Sequence, residues 1–368
     1  MRHQRASICI LITLLGALLT VGVVAAAQFE TQEGAARHAS ISVGLIPDEA
    51  GITMDNVFNL LSYQGLLRAE SELGVVGTVY TPTSPTDYEP MLQQCVDDGN
   101  DLCISVGFGF TDATMNAASN NPGTDFSIVD VEYEQYTANL RGMAFSNSEV
   151  GYLAGALAGL MTESDQIGTI GATWGGIHIP SVEEFVEGYN NGAQCSNSTV
   201  EVLVEYANTF SEPELGATIA QDMIGQGADV IFAAAGPTGS GAVLTTTQSG
   251  EWAIGVDTDN YYTLFGNGAV DGSDKLLSSA MKHIDNAVFG TISDVVSDTF
   301  TSGTLVYDLA LEGVGLAPFH EADPFVPQSV RDQLDLVEQG IINGSLDITD
   351  DCRGLYYLFL PLTMQSNN

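Results

Sequence analysis

From residue 41 onward, short apolar runs alternate with segments of helical periodicity, and this alternation limits the possible folds more than any other feature. A first set of apolar runs lies at 41–46, 75–80, 102–107, 126–129 and 143–145. A second set lies at 167–170, 200–206, 230–234 and 253–256. Strands that alternate with helices form β-α-β units on a parallel sheet. The sequence therefore predicts an α/β protein with two doubly wound parallel-sheet lobes.

The last part of the chain does not simply extend the second set. Further strand and helix signals follow at 276–281, 283–299 and 305–311. These signals would be explained if the chain crossed between the lobes more than once. Such crossings would place a crevice between the two sheets. We expect lobe 1 to comprise residues 41–146 plus about 283–311, and lobe 2 to comprise 147–282 plus about 312–368.

The N-terminus has the pattern of a secretory signal peptide. Arg2 and Arg5 precede an apolar run over residues 6–24, and three alanines ending at Ala27 offer a cleavage site. The sequence thus predicts a signal peptide over 1–27, cleaved near Ala27, and an exported protein that is periplasmic or extracellular. The alternative is an uncleaved anchor helix, because the run is long for a signal peptide. No cysteine follows the run for lipid attachment.

Four cysteines lie beyond the predicted signal peptide, namely Cys95, Cys103, Cys195 and Cys352. In an exported chain they suggest two disulfides, although three pairings are possible. Cys95 and Cys103 are separated by eight positions across a predicted helix-to-strand turn. We expect these two to pair, which leaves Cys195 to pair with Cys352. No C-x-x-C motif occurs and no histidine is close to these cysteines, so a metal site is not expected.

The charge balance excludes several classes of partner. The chain has 47 acidic and 9 basic residues, for a formal net charge of −38. Nucleic acids and anionic membrane surfaces would be repelled by such a protein. The acidic excess is typical of a solvated surface. Its distribution along the whole chain also suggests the hypothesis of adaptation to a salty exterior.

Catalytic motifs are scarce. The sequence contains no H-E-x-x-H metal motif, G-x-S-x-G elbow, Walker loop or complete G-x-G-x-x-G dinucleotide loop. We therefore expect neither enzymatic activity nor a cofactor. Clustered carboxylates such as Asp257 and Asp259 leave a hydrolase as an alternative.

Three motifs at predicted strand ends point to binding instead. They lie at 233–239, 255–259 and 279–282, and each follows a short apolar run. The carboxyl ends of parallel strands converge on one crevice, where they can hold a ligand. The third motif ends in Lys282, one of only two lysines in the chain. A lysine that is rare in so acidic a protein is a good candidate for a ligand contact.

Other candidate residues follow the first and third predicted strands or lie in the loop after residue 206. Asp48 and Asn59 come after the first strand, and Asp112 after the third, where it could also cap a helix. Phe58 has helical spacing, which also fits a core residue, whereas Phe210 lies in a loop with no evident core to join. A flat ligand stacked between the two phenylalanines would explain both.

Six motifs in chain order resemble the basic membrane protein family, which comprises purine nucleoside-binding receptors of bacterial ABC importers with the type I periplasmic-binding fold. They are residues 48–59, 107–113, 142–145 with 151–155, 227–232 with 235–236, 255–259, and 313–319. The resemblance covers about 42–346. It departs from the family pattern at Glu49-Ala50 and Val57, where family members often have Gly-Gly and a serine, and in the missing lipid-attachment cysteine.

The resemblance implies a monomeric receptor that closes on a purine nucleoside, such as adenosine, guanosine or inosine, and delivers it to an ABC permease in the membrane. It implies that Phe58 and Phe210 sandwich the base and that Asn59 and Asp112 contact its polar edge. The remaining implied contacts are Asp48, Gly236, Asp257 and Lys282, the last two near the ribose hydroxyls. A flavin or a sugar is the alternative ligand, and a nucleoside hydrolase is the alternative activity. Further aromatic residues could line the pocket or pack locally, namely Trp174, Tyr261 and Tyr262.

Overall fold

The computed structural model describes residues 41–53, 56–349 and 352. The predicted signal peptide over 1–27 and the part of lobe 2 after residue 352 lie outside the described residues. Within these ranges, none of the helices is long and apolar enough to cross a membrane.

The first sheet has six parallel strands in the spatial order β12-β5-β4-β3-β1-β2. Its central strands are buried almost without interruption, because helices cover both faces of a parallel sheet. The strands are β1 (Ser42–Ile46), β2 (Val76–Val79), β3 (Leu102–Val106), β4 (Asp125–Val129), β5 (Leu140–Phe145) and β12 (Gly303–Tyr307).

Four helices pack around the first sheet, and their ends follow from local sequence. The first begins at Val57 after Asn56, whose side chain accepts a hydrogen bond from the Asn59 N–H, and ends at Gly74 in the left-handed conformation. The four helices are Val57–Leu73, Tyr88–Asp97, Thr111–Asn120 and Ile284–Val296.

The second sheet has seven strands in the order β13-β11-β10-β9-β6-β7, with β8 also paired to β6. The pairs among β8, β6, β9, β10 and β11 are parallel, whereas β7 and β13 pair antiparallel at the margins. The strands are β6 (Gln166–Trp174), β7 (Ile177–His178), β8 (Glu201–Ala207), β9 (Val230–Ala234), β10 (Trp252–Asp257), β11 (Leu276–Lys282) and β13 (Val314–Leu316).

The helices associated with the second sheet include one very tight pair. A Cβ atom on Gly155 would overlap the carbonyl oxygen of Tyr189, and one on Gly192 would overlap that of Tyr152. Two helix backbones therefore touch through glycines. The helices of this part are Asn147–Met161, Pro180–Ser196, Pro213–Gly225, Gly236–Gln248, Asn260–Thr263 and Gln328–Ile342.

The chain passes between the two sheets three times in the described residues. It crosses after β5, after β11 and between β12 and β13, so the predicted fold class with multiple crossovers is confirmed. We call the part built on the first sheet lobe 1 and the part built on the second lobe 2. The residue boundaries of the lobes given above stay a prediction.

Both expected disulfides are formed in the structure. Cys95 bonds to Cys103, which joins the helix Tyr88–Asp97 to β3. Cys195 bonds to Cys352, which ties the end of the helix Pro180–Ser196 to a residue 157 positions later in the chain.

Candidate functional site

A cavity of about 460 Å³ lies between the two lobes and is lined by residues from both sheets. We call it the interlobe cavity. It forms where the carboxyl ends of the parallel strands face each other, which is where open α/β sheets bind ligands. Six of the eight predicted ligand-binding residues line it, namely Asp48, Phe58, Phe210, Gly236, Asp257 and Lys282.

Each lobe contributes one of the two predicted aromatic side chains. Phe58 lies in the first turn of its helix, and the Cε1 atom of its ring is 3.8 Å from the position of a Cβ on Gly107. Phe210 lies after β8, and the Cδ1 atom of its ring is 3.5 Å from the position of a Cβ on Gly236. Both glycines have positive φ, 96° and 54° respectively. Each ring therefore rests on a backbone turn that suits glycine.

The loop that carries Phe210 is held by lobe 2 itself. The carbonyl oxygen of Phe210 accepts a hydrogen bond of 2.8 Å from the Thr238 N–H at the start of the helix Gly236–Gln248. The Thr238 hydroxyl in turn donates to the carbonyl of Thr209 at 3.0 Å. These two bonds hold the backbone of the loop that carries the Phe210 ring.

Three charged side chains meet at the ends of β4, β10 and β11. Lys282 is 4% exposed, and its Nζ lies 2.9 Å from Oδ1 of Asp130, which is 10% exposed. Because Asp130 belongs to lobe 1 and Lys282 to β11 of lobe 2, this ion pair joins the two lobes. Asp130 directly follows β4 and has a φ of 63°, and Asp257 is the last residue of β10 and has a φ of 66°.

The pKa of Asp257 is shifted by its burial and by the two neighbouring charges. Burial raises the pKa of Asp257 to about 6, while Lys282 lowers it and Asp130 raises it. One lysine therefore faces two carboxylates in a site of low polarity. The two carboxylates can accept hydrogen bonds from vicinal hydroxyls of a ligand, and the Lys282 ammonium can donate a hydrogen bond to it.

Asn59 and Asp112 are not among the residues that line the interlobe cavity. Asn59 is buried behind it, and its Nδ2 donates to Oδ1 of Asp48 at 2.7 Å and to the carbonyl of Gly51 at 2.9 Å. Asn59 thus orients Asp48, whose pKa is raised by burial. Asp112 is exposed in the first turn of the helix Thr111–Asn120, where a negative charge suits the helix dipole.

Sequence reasoning missed Asp130 and Phe185. Asp130 directly follows β4, so the strand-end rule that selected Asp257 could have found it. Phe185 lies on the helix Pro180–Ser196 and reads as a core residue, yet it lines the cavity with its ring centroid 4.9 Å from Nζ of Lys282. Trp174, at the end of β6, also lines the cavity.

Tyr261 and Tyr262 pack elsewhere. The ring of Tyr261 stacks on that of His320 with centroids 4.1 Å apart, and Tyr262 meets the same imidazole edge-on. Within the ranges that the structure describes, no group of three or more His, Cys, Asp or Glu side chains is placed to hold a metal ion.

Two α/β lobes, crossed three times by the chain and enclosing a cavity with an aromatic ring from each side, define the class of two-lobed solute-binding proteins. The sequence model of the family described as "ABC transporter substrate-binding protein PnrA-like" matches residues 43–351. The chain belongs to this family. It is thus a substrate-binding protein of an ABC transport system, as the resemblance implied.

Individual proteins agree with this assignment. The chain is 30% identical over 349 residues to the ABC transporter nucleoside-binding protein BmpA of Lactococcus lactis subsp. cremoris, covering 90% of this chain and 96% of that protein. It is 28% identical over 327 residues to the CD4+ T-cell-stimulating antigen of Listeria innocua, covering 84% and 88%.

A solved structure shares the fold. An ABC transporter solute-binding protein from Aeropyrum pernix K1 superposes with a TM-score of 0.74 at 24% identity, covering 83% of this chain and 92% of that one.

Proposed function

We propose that this protein is an exported, monomeric receptor that binds a purine nucleoside between its lobes and delivers it to an ABC permease. On this proposal the signal peptide is cleaved near Ala27, and the mature protein works in the periplasm or outside the cell. The ligand bridges both lobes and stabilises the closed arrangement by its higher affinity for it. We expect no chemical change in the ligand.

The observation that carries the proposal is the pairing of two aromatic rings with a charged group in one cavity. Phe58 and Phe210 come from opposite lobes, and Asp257 and Lys282 line the same cavity. A planar base stacked between the rings would bury its faces, while ribose hydroxyls would meet the carboxylate and the ammonium. The relative from Lactococcus, whose name describes it as nucleoside-binding, supports the same ligand class.

Other roles follow from where the side chains lie. Asp48 and Gly236 are proposed as further ligand contacts, because both line the cavity. Asn59 is proposed to act through Asp48, to which it donates a hydrogen bond, rather than by touching the base. Asp112, exposed and outside the cavity lining, is proposed to stabilise its helix.

Calorimetric titration of refolded, ligand-free mature protein with guanosine, inosine, adenosine, riboflavin and ribose tests the proposal. We expect stoichiometric binding of a purine nucleoside that Phe210→Ala weakens strongly. The matched control is Phe325→Ala, since Phe325 is 56% exposed and does not line the cavity. Tight binding of riboflavin or ribose alone would reject the nucleoside, and release of free base during long incubation would instead favour a hydrolase.

A further inference from the structure

Trp174 makes a direct contact between the two lobes across the interlobe cavity. It is the last residue of β6 in lobe 2, and its indole lies against the backbone of Gly109, which follows β3 in lobe 1. A Cβ on Gly109 would stand 3.2 Å from Cζ2 and 3.5 Å from Cε2 of Trp174. Both residues line the interlobe cavity, so their contact forms part of its wall.

Lobe 2 presents Trp174 on a tight hairpin. β6 pairs antiparallel with β7, and Trp174 lies opposite Ile177. The two residues between them are Gly175 and Gly176, whose φ values are 58° and 84°. Positive φ at both loop residues is what a type I′ hairpin turn requires, and the turn type fixes the register of a hairpin. The backbone at Trp174 is therefore held by lobe 2.

Lobe 1 offers a residue without a side chain at the point of contact. Gly109 lies in the short turn Phe108–Phe110, and its φ is not positive, so its backbone conformation does not require glycine. A Cβ at this position would also stand 3.1 Å from Cε2 of Tyr88. The Tyr88 ring is buried and stacks on that of Phe110 with centroids 3.7 Å apart. Glycine is therefore required here for space, because the indole and the Tyr88 ring leave no room for a Cβ.

The contact of Trp174 with Gly109 lies on the side of the cavity away from the chain crossings. The crossings start from β5, β11 and β12. In the first sheet β4 separates β3 from β5, and in the second sheet β9 and β10 separate β6 from β11. When two lobes turn about a hinge, the atoms far from the hinge move furthest. This contact is therefore broken when the lobes separate and is formed again when they close.

We propose that Trp174 closes the interlobe cavity on this side and slows the release of the bound ligand, by packing its indole on Gly109 and Tyr88. The inference rests on the proposed function only in that a ligand binds between the lobes, and it does not depend on which base or sugar is bound. Trp174 is then a positioning residue, which acts by holding the lobes together. A ligand that enters between separated lobes does not need this contact, so its loss affects the dissociation rate more than the association rate.

The test is the release of a radiolabelled nucleoside from the whole mature protein after addition of excess unlabelled nucleoside. The probe is whichever of guanosine, inosine and adenosine binds best in the titration above. Trp174→Ala should raise the dissociation rate about tenfold, which corresponds to about 1.4 kcal/mol and is the size expected for one aromatic contact. The association rate should change much less. Trp252→Phe is the control, because Trp252 packs against Phe325, does not line the cavity and is the other tryptophan of the chain.

A double-mutant cycle separates a contact between the lobes from a contact with the ligand. Gly109→Ala should also raise the dissociation rate, because its Cβ displaces the indole. In the Trp174→Ala protein the same substitution should have little further effect, since the indole is already gone. Unchanged release from Trp174→Ala, or an effect of Gly109→Ala that is equal in both backgrounds, would overturn the inference.

Absence of binding by guanosine, inosine and adenosine would overturn the proposed function and leave the contact between the lobes to be tested without ligand. The protein for this test is Trp252→Phe, in which Trp174 is the sole tryptophan. Gly109→Ala should raise the quenching of Trp174 fluorescence by acrylamide. Gly123→Ala should not, because no atom lies within 4 Å of its new Cβ. Equal quenching in the two glycine variants would show that the indole does not rest on Gly109.

Discussion

Ligand affinity should fall as the pH is lowered through 6, because the proposed contact of Asp257 with ligand hydroxyls needs an ionised carboxylate. Burial raises the pKa of Asp257 to about 6, with Lys282 lowering it and Asp130 raising it. Hydrogen bonds donated by two hydroxyls favour the ionised form and so lower the pKa. We therefore expect the pKa in the complex to return to the ordinary carboxyl value of about 4.

The size of the effect follows from these two values. At pH 7.5 the carboxyl is ionised in both states, whereas at pH 5 it is protonated mainly in the ligand-free protein. Linkage then makes the dissociation constant roughly tenfold larger at pH 5 than at pH 7.5, a difference of about 1.4 kcal/mol. Near pH 6 the same relation predicts release of about half a proton for each ligand bound.

Calorimetry at pH 5, 6 and 7.5, in pairs of buffers with different ionisation enthalpies, measures both the dissociation constant and the released protons. Burial also raises the pKa values of Asp48 and Glu184, and each of these groups adds to the slope only if ligand binding changes its pKa. Asp257→Asn isolates the contribution of Asp257. A wild-type dissociation constant that stays constant over this range, or a variant with an unchanged slope, would refute the reasoning.

Three further predictions concern stability. Lys282→Met should lower the unfolding free energy at pH 7.5 by about 3–5 kcal/mol, since it leaves the carboxylates of Asp130 and Asp257 buried without their cation. Urea denaturation should show a smaller loss at pH 5, and an equal loss at both pH values would contradict this assignment. Gly155→Ala should cost about 1–3 kcal/mol in the same assay, because its Cβ would overlap a carbonyl oxygen of the neighbouring helix. Gly123→Ala is the control and should change the unfolding free energy little, because no atom lies within 4 Å of the new Cβ. A loss for Gly155→Ala as small as that for Gly123→Ala would show that the helices Asn147–Met161 and Pro180–Ser196 can move apart without cost. Finally, molar KCl should raise the thermal midpoint of a chain with net charge −38, because counterions screen its self-repulsion; a midpoint independent of salt would refute the hypothesis of salt adaptation.

The candidate site shows where sequence reasoning succeeds and where it stops. The strand-end rule selected Asp257 and Lys282, and both line the interlobe cavity. Asp130 follows β4 directly and meets the same rule, but it is not among the residues predicted from the sequence. The partnership of Asp130 with Lys282 joins positions 152 residues apart, and no local pattern indicates it.

The two residues outside the cavity lining illustrate a different limit. Asn59 is adjacent to Phe58 in the chain, but successive helical residues point about 100° apart, so one faces the cavity while the other is buried behind Asp48. Asp112 follows β3 as a ligand contact would, yet the short turn Phe108–Phe110 comes between them and leaves its side chain exposed.

The sequence by itself determined the α/β class, the two sets of strands, the strand ends that carry functional groups and membership of the family. These properties depend on backbone periodicity and on local motifs, which act over a few residues. Only the tertiary structure decided which strand ends meet across the interlobe cavity, which face of each helix is turned toward it, and that Asp130 pairs with Lys282. The reason is physical, because crossings between the lobes bring together groups far apart in the chain, and their burial and charge arise only from that contact.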